Sequence, residues 1–538
     1  MDIKQLIAAY YTNEPDPTVP TQRVKFGTSG HRGCAFDNTF NHHHVQAIAQ
    51  AICNYRRRNG IDGPLFMGMD THAVSRPALS SVLEVLAANG VDVMLACNDE
   101  YTPTPVISHA ILHYNQHRIS GSTSGLKSGL SDGIVVTPSH NPPQDGGIKY
   151  NPPHGGPAGS DVTKLIEAEA NEFITNKMSG LRSMPYVAAL NVPTTHMHDY
   201  LNSYVDDLEN VIDMQAIRAS KIRIGVDPLG GAGVHYWPAI AEKYKIDLTV
   251  INNLIDANFS FVPPDWDGKI RMDPSSTYAM QRVIESKDRF DIVFACDPDH
   301  DRHGIVCPTT GLMSANQYQP AALDYLLQHR PNWTVSSAVG KTAVNTQMID
   351  RVASAHRRKI YEVPVGFKWF SKGLLDGTLC FSSEESAGAT FARKDGKVWT
   401  TDKDGMTAGL LAAEIKAVTG SNPAQRYEQL RSELGEFFST RIDAPATTRV
   451  KNALANLSPM QVVNKKLAGY PIVQVLTRAP GNSACLEGLK VVTEQGWFAA
   501  RPSGTEPIFK IYAESFVSGE HLQQIILQAE SLINNQLI

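Results

Sequence analysis

Short apolar runs alternate along the chain with segments whose apolar positions recur every three or four residues. Pro64–Met69, Val91–Ala96, Gly133–Val136, Lys221–Val226 and Asp291–Cys296 are runs of the first kind and predict buried strands. Val45, Ile48, Ile52 and Tyr55 follow the helical period, as do the segments 77–88, 161–177 and 321–328. The chain closes on a helix whose apolar face is Leu522, Ile525, Ile526, Ala529 and Leu532. Strands alternating with helices predict an α/β fold. Strands near 471–476, 489–493 and 507–514 mark a different C-terminal pattern. The breaks divide the chain into 1–205, 206–320, 321–435 and 436–538. Gly68-Met69-Asp70 and Gly225-Val226-Asp227 end two strands in the same way, a faint sign of repeated modules.

Composition narrows the class. With 538 residues, 42% hydrophobic and 19% charged, the chain is of ordinary globular type. A net charge of −5 gives no broad basic surface, so neither nucleic acid nor anionic membrane is expected as a partner. No apolar run reaches the ~20 residues that span a bilayer, and the N-terminus has no signal-peptide pattern. Seven scattered cysteines without a Cys-x-x-Cys pair fit reduced thiols, hence a cytoplasmic location, and exclude a zinc ribbon. Arg56, Arg57 and Arg58 end the first helical segment before Gly60, where cations complement a helix C-terminus. His42, His43 and His44 precede that segment and are expected to be solvated.

Several stretches carry chemistry. Thr137-Pro138-Ser139-His140-Asn141-Pro142-Pro143 follows the strand Gly133–Val136, so Ser139 is displayed at a strand's carboxyl end, where open α/β sheets place ligands. Asp297, Asp299 and Asp301 alternate directly after another strand. In extended backbone they point to one side, and three converging carboxylates need a hard cation such as Mg2+. An EF-hand loop requires Gly and Glu where Arg302 and Pro308 stand. Gly340-Lys341-Thr342 lacks the earlier glycine of a nucleotide-binding loop, since that position is Val335. Arg501-Pro502-Ser503-Gly504-Thr505, between strands, reads equally as an anion clamp or an ordinary turn. Glu384-Glu385-Ser386 reads as a possible polyol-binding loop, with an ordinary loop as the rival.

Together, and in this order, these motifs resemble the α-D-phosphohexomutase superfamily and within it the bacterial phosphoglucomutases. Phe26–Gly33 resembles the family's N-terminal phosphate-facing loop, Thr137–Pro143 the phosphoserine loop and Asp297–His303 the magnesium loop. Val365–Phe370 and Glu384–Ser386 resemble the sugar loops, with Ser382-Ser383 where Gly-Gly is common. The resemblance implies three similar α/β domains with mixed sheets and a smaller C-terminal α+β domain around a central cleft. It implies a phosphorylated Ser139 whose phosphoryl oxygen completes a Mg2+ shell of Asp297, Asp299 and Asp301, with Arg32, Lys149 and Arg302 supplying positive charge and His140 lining the loop. Lys368, Glu384 and Ser386 would hold the sugar; Arg501, Ser503, Gly504 and Thr505 would hold its phosphate, with Arg302 and His303 also facing substrate. Lys149, Arg32 and His303 are candidate bases. The implied reaction interconverts the 1- and 6-phosphates of glucose through glucose 1,6-bisphosphate, which also serves as activator, in a monomer or homodimer with a hinge near 435–450. Mutases for mannose or glucosamine phosphates, a metal-dependent phosphatase and an inactive sugar-phosphate-binding protein are the alternatives.

Overall fold

The computed structural model describes residues 1–27, 29–121, 129–462, 464–503 and 508–537. Four sheets succeed one another along the chain. In the first, the spatial order is His31–Cys34, Asp145–Asn151, Asp132–Val136, Leu65–Met69, Val93–Ala96 and Thr195–His198. Its last four strands run parallel, whereas Asp145–Asn151 returns antiparallel beside Asp132–Val136 in the register Ile134↔Tyr150 and Val135↔Lys149. The second sheet pairs Ile224–Asp227 parallel with Leu248–Val250 and Ile292–Cys296, then returns antiparallel through His303–Cys307 and Gly311–Met313. In the third, Ala338–Thr342 lies parallel to Ile360–Val363 and Leu379–Glu384, and Gly388–Phe391 returns antiparallel.

The three mixed sheets therefore share one device. A buried parallel strand runs to its carboxyl end, a loop follows, and the next strand comes back beside it. The loops so placed contain Ser139, Asp297–Asp301 and Glu384–Ser386. The C-terminal unit differs: Phe438–Pro445, Ile508–Ser515, Gly496–Pro502, Cys485–Thr493, Tyr470–Arg478 and Lys466–Leu467 form one antiparallel sheet. Helices Thr448–Ala455 and Gly519–Leu537 cover one face of it. Arg501 accordingly belongs to a strand rather than to a link between strands.

One apolar cluster joins the first three units. It takes in Phe66, Tyr204, Ile224, Phe294, Val339, Phe381 and Trp399. The helix Gly405–Thr419 is buried along nearly its whole length and sits at its centre; a Cβ on Gly409 would meet the Phe294 ring at 2.5 Å, so only glycine lets that helix lie so close. The C-terminal unit has its own cluster around Val491, Phe498, Ile511 and Ile525. It meets the third unit through a small cluster of Val344, Trp497, Ala499 and Tyr512, and through a buried Lys490–Glu362 ion pair of 3.0 Å.

Two local expectations are corrected. His42–His44 are the first turn of the helix His42–Asn59, not solvated residues ahead of it. His44 is fully buried, with Nε2 2.8 Å from the Gln22 carbonyl, and His42 Nδ1 is 2.8 Å from Ser81 Oγ. Arg56 does more than complement the helix end: it is buried, and its Nε lies 3.3 Å from Asp132. No helix among the described residues is long and apolar enough to cross a membrane.

Candidate active site

Ser139 is not on the surface. Its residue is 1% exposed and its φ is +59°, in the left-handed region that non-glycine residues rarely occupy. Side chains hold it there. The Ser139 N–H donates to Thr137 Oγ1 at 2.7 Å, and Thr137 Oγ1–H donates to Asp70 Oδ2 at 2.6 Å. Asp70 also accepts from Ser75 Oγ (2.5 Å), and His72 Nδ1 lies 2.8 Å from it. His72 Nε2 in turn sits 3.1 Å from the Asn141 carbonyl. Burial disfavours charge on His72, but the Asp70 carboxylate outweighs it and raises the imidazole above its usual range. Gly147 completes the seat, since a Cβ there would meet the Thr137 carbonyl at 2.2 Å. The prolines thus have a buried polar scaffold behind them, starting at the end of the neighbouring strand Leu65–Met69.

Ser139 Oγ donates to Asp297 Oδ2 at 2.7 Å, across the boundary between the first two sheets, and lies 3.3 Å from His140 Nδ1. Burial and the Arg302 charge push His140 down to about 3. Asp297, Asp299 and Asp301 offer carboxylate oxygens that all lie within 4.8 Å of one another. They converge by a route other than extended alternation. Residues 298–301 form a tight turn, in which His300 has φ +59° and its N–H donates to the Asp297 carbonyl at 2.9 Å. The His300 ring points away, toward the Trp237 indole N–H (3.3 Å).

Lys149, on the return strand of the first sheet, donates to Asp299 Oδ2 (2.5 Å) and Asp301 Oδ2 (3.0 Å). Thr104 Oγ1 also donates to Asp299 Oδ2, at 2.5 Å. Asp299 Oδ1 and Asp301 Oδ1 are buried without a hydrogen-bond partner. Burial and the neighbouring Asp299 and Asp301 drive Asp297 well above the carboxylate range, whereas Lys149 keeps Asp299 low despite burial. Clustered carboxylates with unpartnered buried oxygens fit a hard divalent cation, and this group could hold a metal. A second set, His109, His113 and Asp207, is also close enough to be considered. There Asp207 already accepts from both Arg393 Nη atoms (2.7 and 2.5 Å) and from Asn210 (2.7 Å), and His109 Nε2 lies 2.7 Å away.

Arg32 lies in the edge strand His31–Cys34, its guanidinium donating to Asn141 Oδ1 (2.9 Å) and Ser29 Oγ (3.1 Å). Arg302 N–H donates to Asp297 Oδ1 at 3.0 Å, and its guanidinium stands between Asp273 and Asp301. Lys403 was invisible in the sequence pattern. Its Nζ lies 3.2 Å from both Asp301 and Asp402 and 5.3 Å from the Phe367 ring centre, linking the acidic loop to the third unit. Asp70, Thr104 and Asp273 were missed as well. Asp70 and Asp273 are single polar residues in loops and Thr104 opens the helix Thr104–Gly121, and only the end-of-strand position of Asp70 hinted at a role.

In the third unit, Glu384 Oε1 accepts from the Gly366 N–H at 2.9 Å, tying the loop 384–386 to the loop that carries Lys368. Burial, with Glu385 beside it, pushes Glu384 up to about 7 against the pull of Lys403. Lys368 Nζ donates to Ser160 Oγ of the first unit at 2.6 Å. Ser386 is half-buried in the turn before Gly388. Glu385 accepts from Tyr512 of the C-terminal sheet at 3.2 Å. The His303 ring makes no hydrogen bond to this group: both ring nitrogens lack partners, the ring packs on Tyr318, and burial lowers it to about 3. Arg501 pairs with Lys510 across two strands, and the buried Ser503 donates its N–H to the Ile508 carbonyl at 2.9 Å. Gly504 and Thr505 lie outside the described residues.

Four family descriptions match in chain order. They are phosphoglucomutase/phosphomannomutase alpha/beta/alpha domains I (residues 23–176), II (202–311) and III (314–434) and the C-terminal domain (449–530). The chain belongs to the phosphoglucomutase/phosphomannomutase family. Membership makes it an enzyme of intramolecular phosphoryl transfer, and it bears out the resemblance and the fold class read from the motifs. The chain is 55% identical over 534 residues to a phosphoglucomutase of Komagataeibacter xylinus, covering 99% of this chain and 95% of that one. Its fold resembles the open form of parafusin, a Paramecium phosphoglucomutase, at a TM-score of 0.75 and 19% identity over 97% and 96% of the two chains. It also resembles a family protein of Burkholderia thailandensis, at a TM-score of 0.69 and 21% identity over 96% and 98%. Ser139 falls in the segment matched by domain I, the three aspartates in II, Lys368 and Glu384 in III, and Arg501 and Ser503 in the C-terminal match.

Proposed function

We propose that the enzyme interconverts α-D-glucose 1-phosphate and glucose 6-phosphate through a phosphoserine at Ser139. The observation that carries this reading is the placement of Ser139 Oγ, 2.7 Å from the first of three clustered aspartates and among buried cations. The phosphoglucomutase relative at 55% identity supports glucose as the sugar. The substrate's phosphate is bound at Arg501, Ser503, Gly504 and Thr505, while Lys368, Glu384 and Ser386 hold the sugar hydroxyls. The sugar O6 attacks the phosphorus of phosphoserine, the P–Oγ bond breaks, and glucose 1,6-bisphosphate forms. After the intermediate reorients, Ser139 Oγ takes the other phosphoryl group, leaving glucose 6-phosphate. Added glucose 1,6-bisphosphate activates by phosphorylating Ser139.

Asp297, Asp299 and Asp301 are the residues that would hold Mg2+, which supplies charge neutralisation at the phosphoryl oxygens. Arg32, Lys149 and Arg302 add to it. Asp299 and Asp301 outweigh burial and keep Lys149 cationic, which suits it to bind phosphoryl oxygens rather than to act as a base. His140 orients the Ser139 loop, and His303 supports the site from behind. The C-terminal unit closes over substrate about a hinge at 435–450; in its favour, Gly435 has φ +102° and few apolar residues bridge the units. Free buried cysteines and the modest net charge support a cytoplasmic enzyme, monomeric or dimeric, acting on small phosphosugars.

The test is conversion of glucose 1-phosphate and of mannose 1-phosphate by the wild type and Ser139→Ala, with Mg2+ and glucose 1,6-bisphosphate. Conversion by the wild type and none by a folded Ser139→Ala is expected. Comparable turnover by the variant would remove Ser139 as nucleophile. Preference for the mannose ester would move the enzyme to the sister activity, and release of inorganic phosphate would make it a phosphatase.

A further inference from the structure

We infer that Asp273 is a positioning residue that holds Arg302 off the metal-binding carboxylates, an inference that rests on reading Asp297, Asp299 and Asp301 as metal ligands. Arg302 Nε and Asp301 Oδ1 are 3.9 Å apart. Both atoms are buried and neither has a hydrogen-bond partner. A shift of about 1 Å would bring them to bonding distance. Asp301 Oδ1 would then be neutralised by the guanidinium, although it is one of the two oxygens best suited to a cation. On the other side, Arg302 Nη1 lies 3.6 Å from Asp273 Oδ2. Asp273 therefore offsets the attraction of Asp301 without itself closing a hydrogen bond on the fork, whose donors stay available for phosphoryl oxygens.

The carrier of Asp273 is built to hold position. Its Oδ1 accepts from both the N–H (2.9 Å) and the Oγ (2.7 Å) of Ser275. Met272 beside it is fully buried, and its N–H donates to the His140 carbonyl at 3.2 Å, so the segment also braces the Ser139 loop. The Pro274 carbonyl presses so close to Gly304 that a Cβ there would meet it at 2.5 Å. Arg271 is forked to Asp267 through two bonds of 2.9 and 2.8 Å. A carboxylate held by Ser275 on a braced segment can balance the guanidinium; a loose one would follow it.

The inference is tested by titrating the full chain with Mn2+ and reading bound ion by electron paramagnetic resonance, which needs no turnover. Asp273→Asn should raise the Mn2+ dissociation constant about tenfold. In an Arg302→Met background the same substitution should change it by no more than about twofold. Ser275→Ala, which frees one side of Asp273, should shift it in the same direction by less. An equal rise in both backgrounds would show plain loss of negative charge and overturn the inference, as would no rise in the wild-type background. Should the enzyme bind Mn2+ normally and convert no phosphosugar, the functional reading fails while this test still stands.

Discussion

Thr137→Val removes one oxygen and almost no volume, and it strikes the scaffold that bends the chain at Ser139. Thr137 Oγ1 accepts from the Ser139 N–H at 2.7 Å and donates to Asp70 at 2.6 Å, with all three residues buried. Losing the bond to a charged group costs about 1.5–3 kcal/mol, and stranding the buried Ser139 N–H costs about 1–3 kcal/mol. The left-handed backbone of Ser139 adds about 1 kcal/mol of strain that nothing would then offset. Part of this total is recoverable if Ser139 leaves its left-handed conformation, so roughly 3 kcal/mol should remain as lost stability. At about 2–4 °C per kcal/mol for a unit of this size, calorimetry should show the melting point down by roughly 6–12 °C. A nucleophile displaced by about 1 Å loses about a hundredfold in rate, so kcat should fall by that factor with KM little moved. Thr137→Ser restores both bonds and should restore both quantities. A Thr137→Val enzyme with wild-type melting, wild-type phosphoserine content by mass spectrometry and wild-type kcat would refute the scaffold argument.

Three further outcomes are expected. Glu384, raised to about 7 from its ordinary 4.5, binds more protons folded than unfolded between those values, so its contribution to stability falls as pH rises through that window. The loss amounts to roughly 3 kcal/mol; the melting point of Glu384→Gln relative to wild type should therefore rise from about pH 4.5 to about pH 7, and a flat difference would contradict the assignment. Saturating Mg2+ should raise the wild-type melting point, by the equivalent of about 2.7 kcal/mol at a hundredfold excess over Kd, and Asp299→Asn should lose that rise. Arg501→Ala should raise the KM for both glucose phosphates at least about tenfold, because a charge-assisted bond to phosphate is lost in each orientation; equal KM values would take Arg501 out of the clamp.

Ser139 and the three aspartates were legible because their chemistry is local: unusual residues stand together, directly after an apolar run. What the pattern could not show was how they are held. The aspartates were expected to converge from extended backbone, yet a turn through His300 brings them together. Asp70, Thr104, Asp273 and Lys403 are single polar residues distant from Ser139 in sequence, and their importance comes from their placement around the site, buried or, for Asp273, half-buried, which only tertiary packing creates. Arg501 and Pro502 were placed between strands, whereas both belong to the strand Gly496–Pro502. Residues 496–500 pair on both sides, with Cys485–Thr493 and Ile508–Ser515, and Arg501 continues the pairing with Lys510, a property of the sheet and not of the segment. His42–His44 failed for the opposite reason: three polar residues together suggest solvent, but His42 and His44 find partners in Ser81 and the Gln22 carbonyl, and the His43 ring lies edge-on to His42.

The repeated hairpin explains why residues so distant in sequence meet with little adjustment. In each α/β unit a parallel strand delivers the loop, and an antiparallel return fixes its far end, so both anchors belong to one sheet. Ser139 hangs between Val136 and Asp145, the aspartates between Cys296 and His303, and the turn 385–387 between Glu384 and Gly388. Because the three units share one apolar cluster, the three loops keep a set relation to one another. The fourth unit has no such tie. It is joined by Lys490–Glu362, Tyr512–Glu385, bonds from the Gln347 N–H to Glu514 and from the Gly481 N–H to the Glu362 carbonyl, and two small clusters of buried apolar residues, less apolar contact than unites the others. Separating it therefore costs little hydrophobic burial. Two of its polar ties reach the strand Ile360–Val363 and the residue next to Glu384, so on the proposed reading a displacement of the phosphate clamp is passed to the loop 384–386, whose Glu384 faces Lys403. On the proposed reading a division of labour follows from that asymmetry: the loops assigned to phosphoryl transfer sit on the rigid hub, and the group assigned to release a phosphate and grip its successor sits on the loosely held unit.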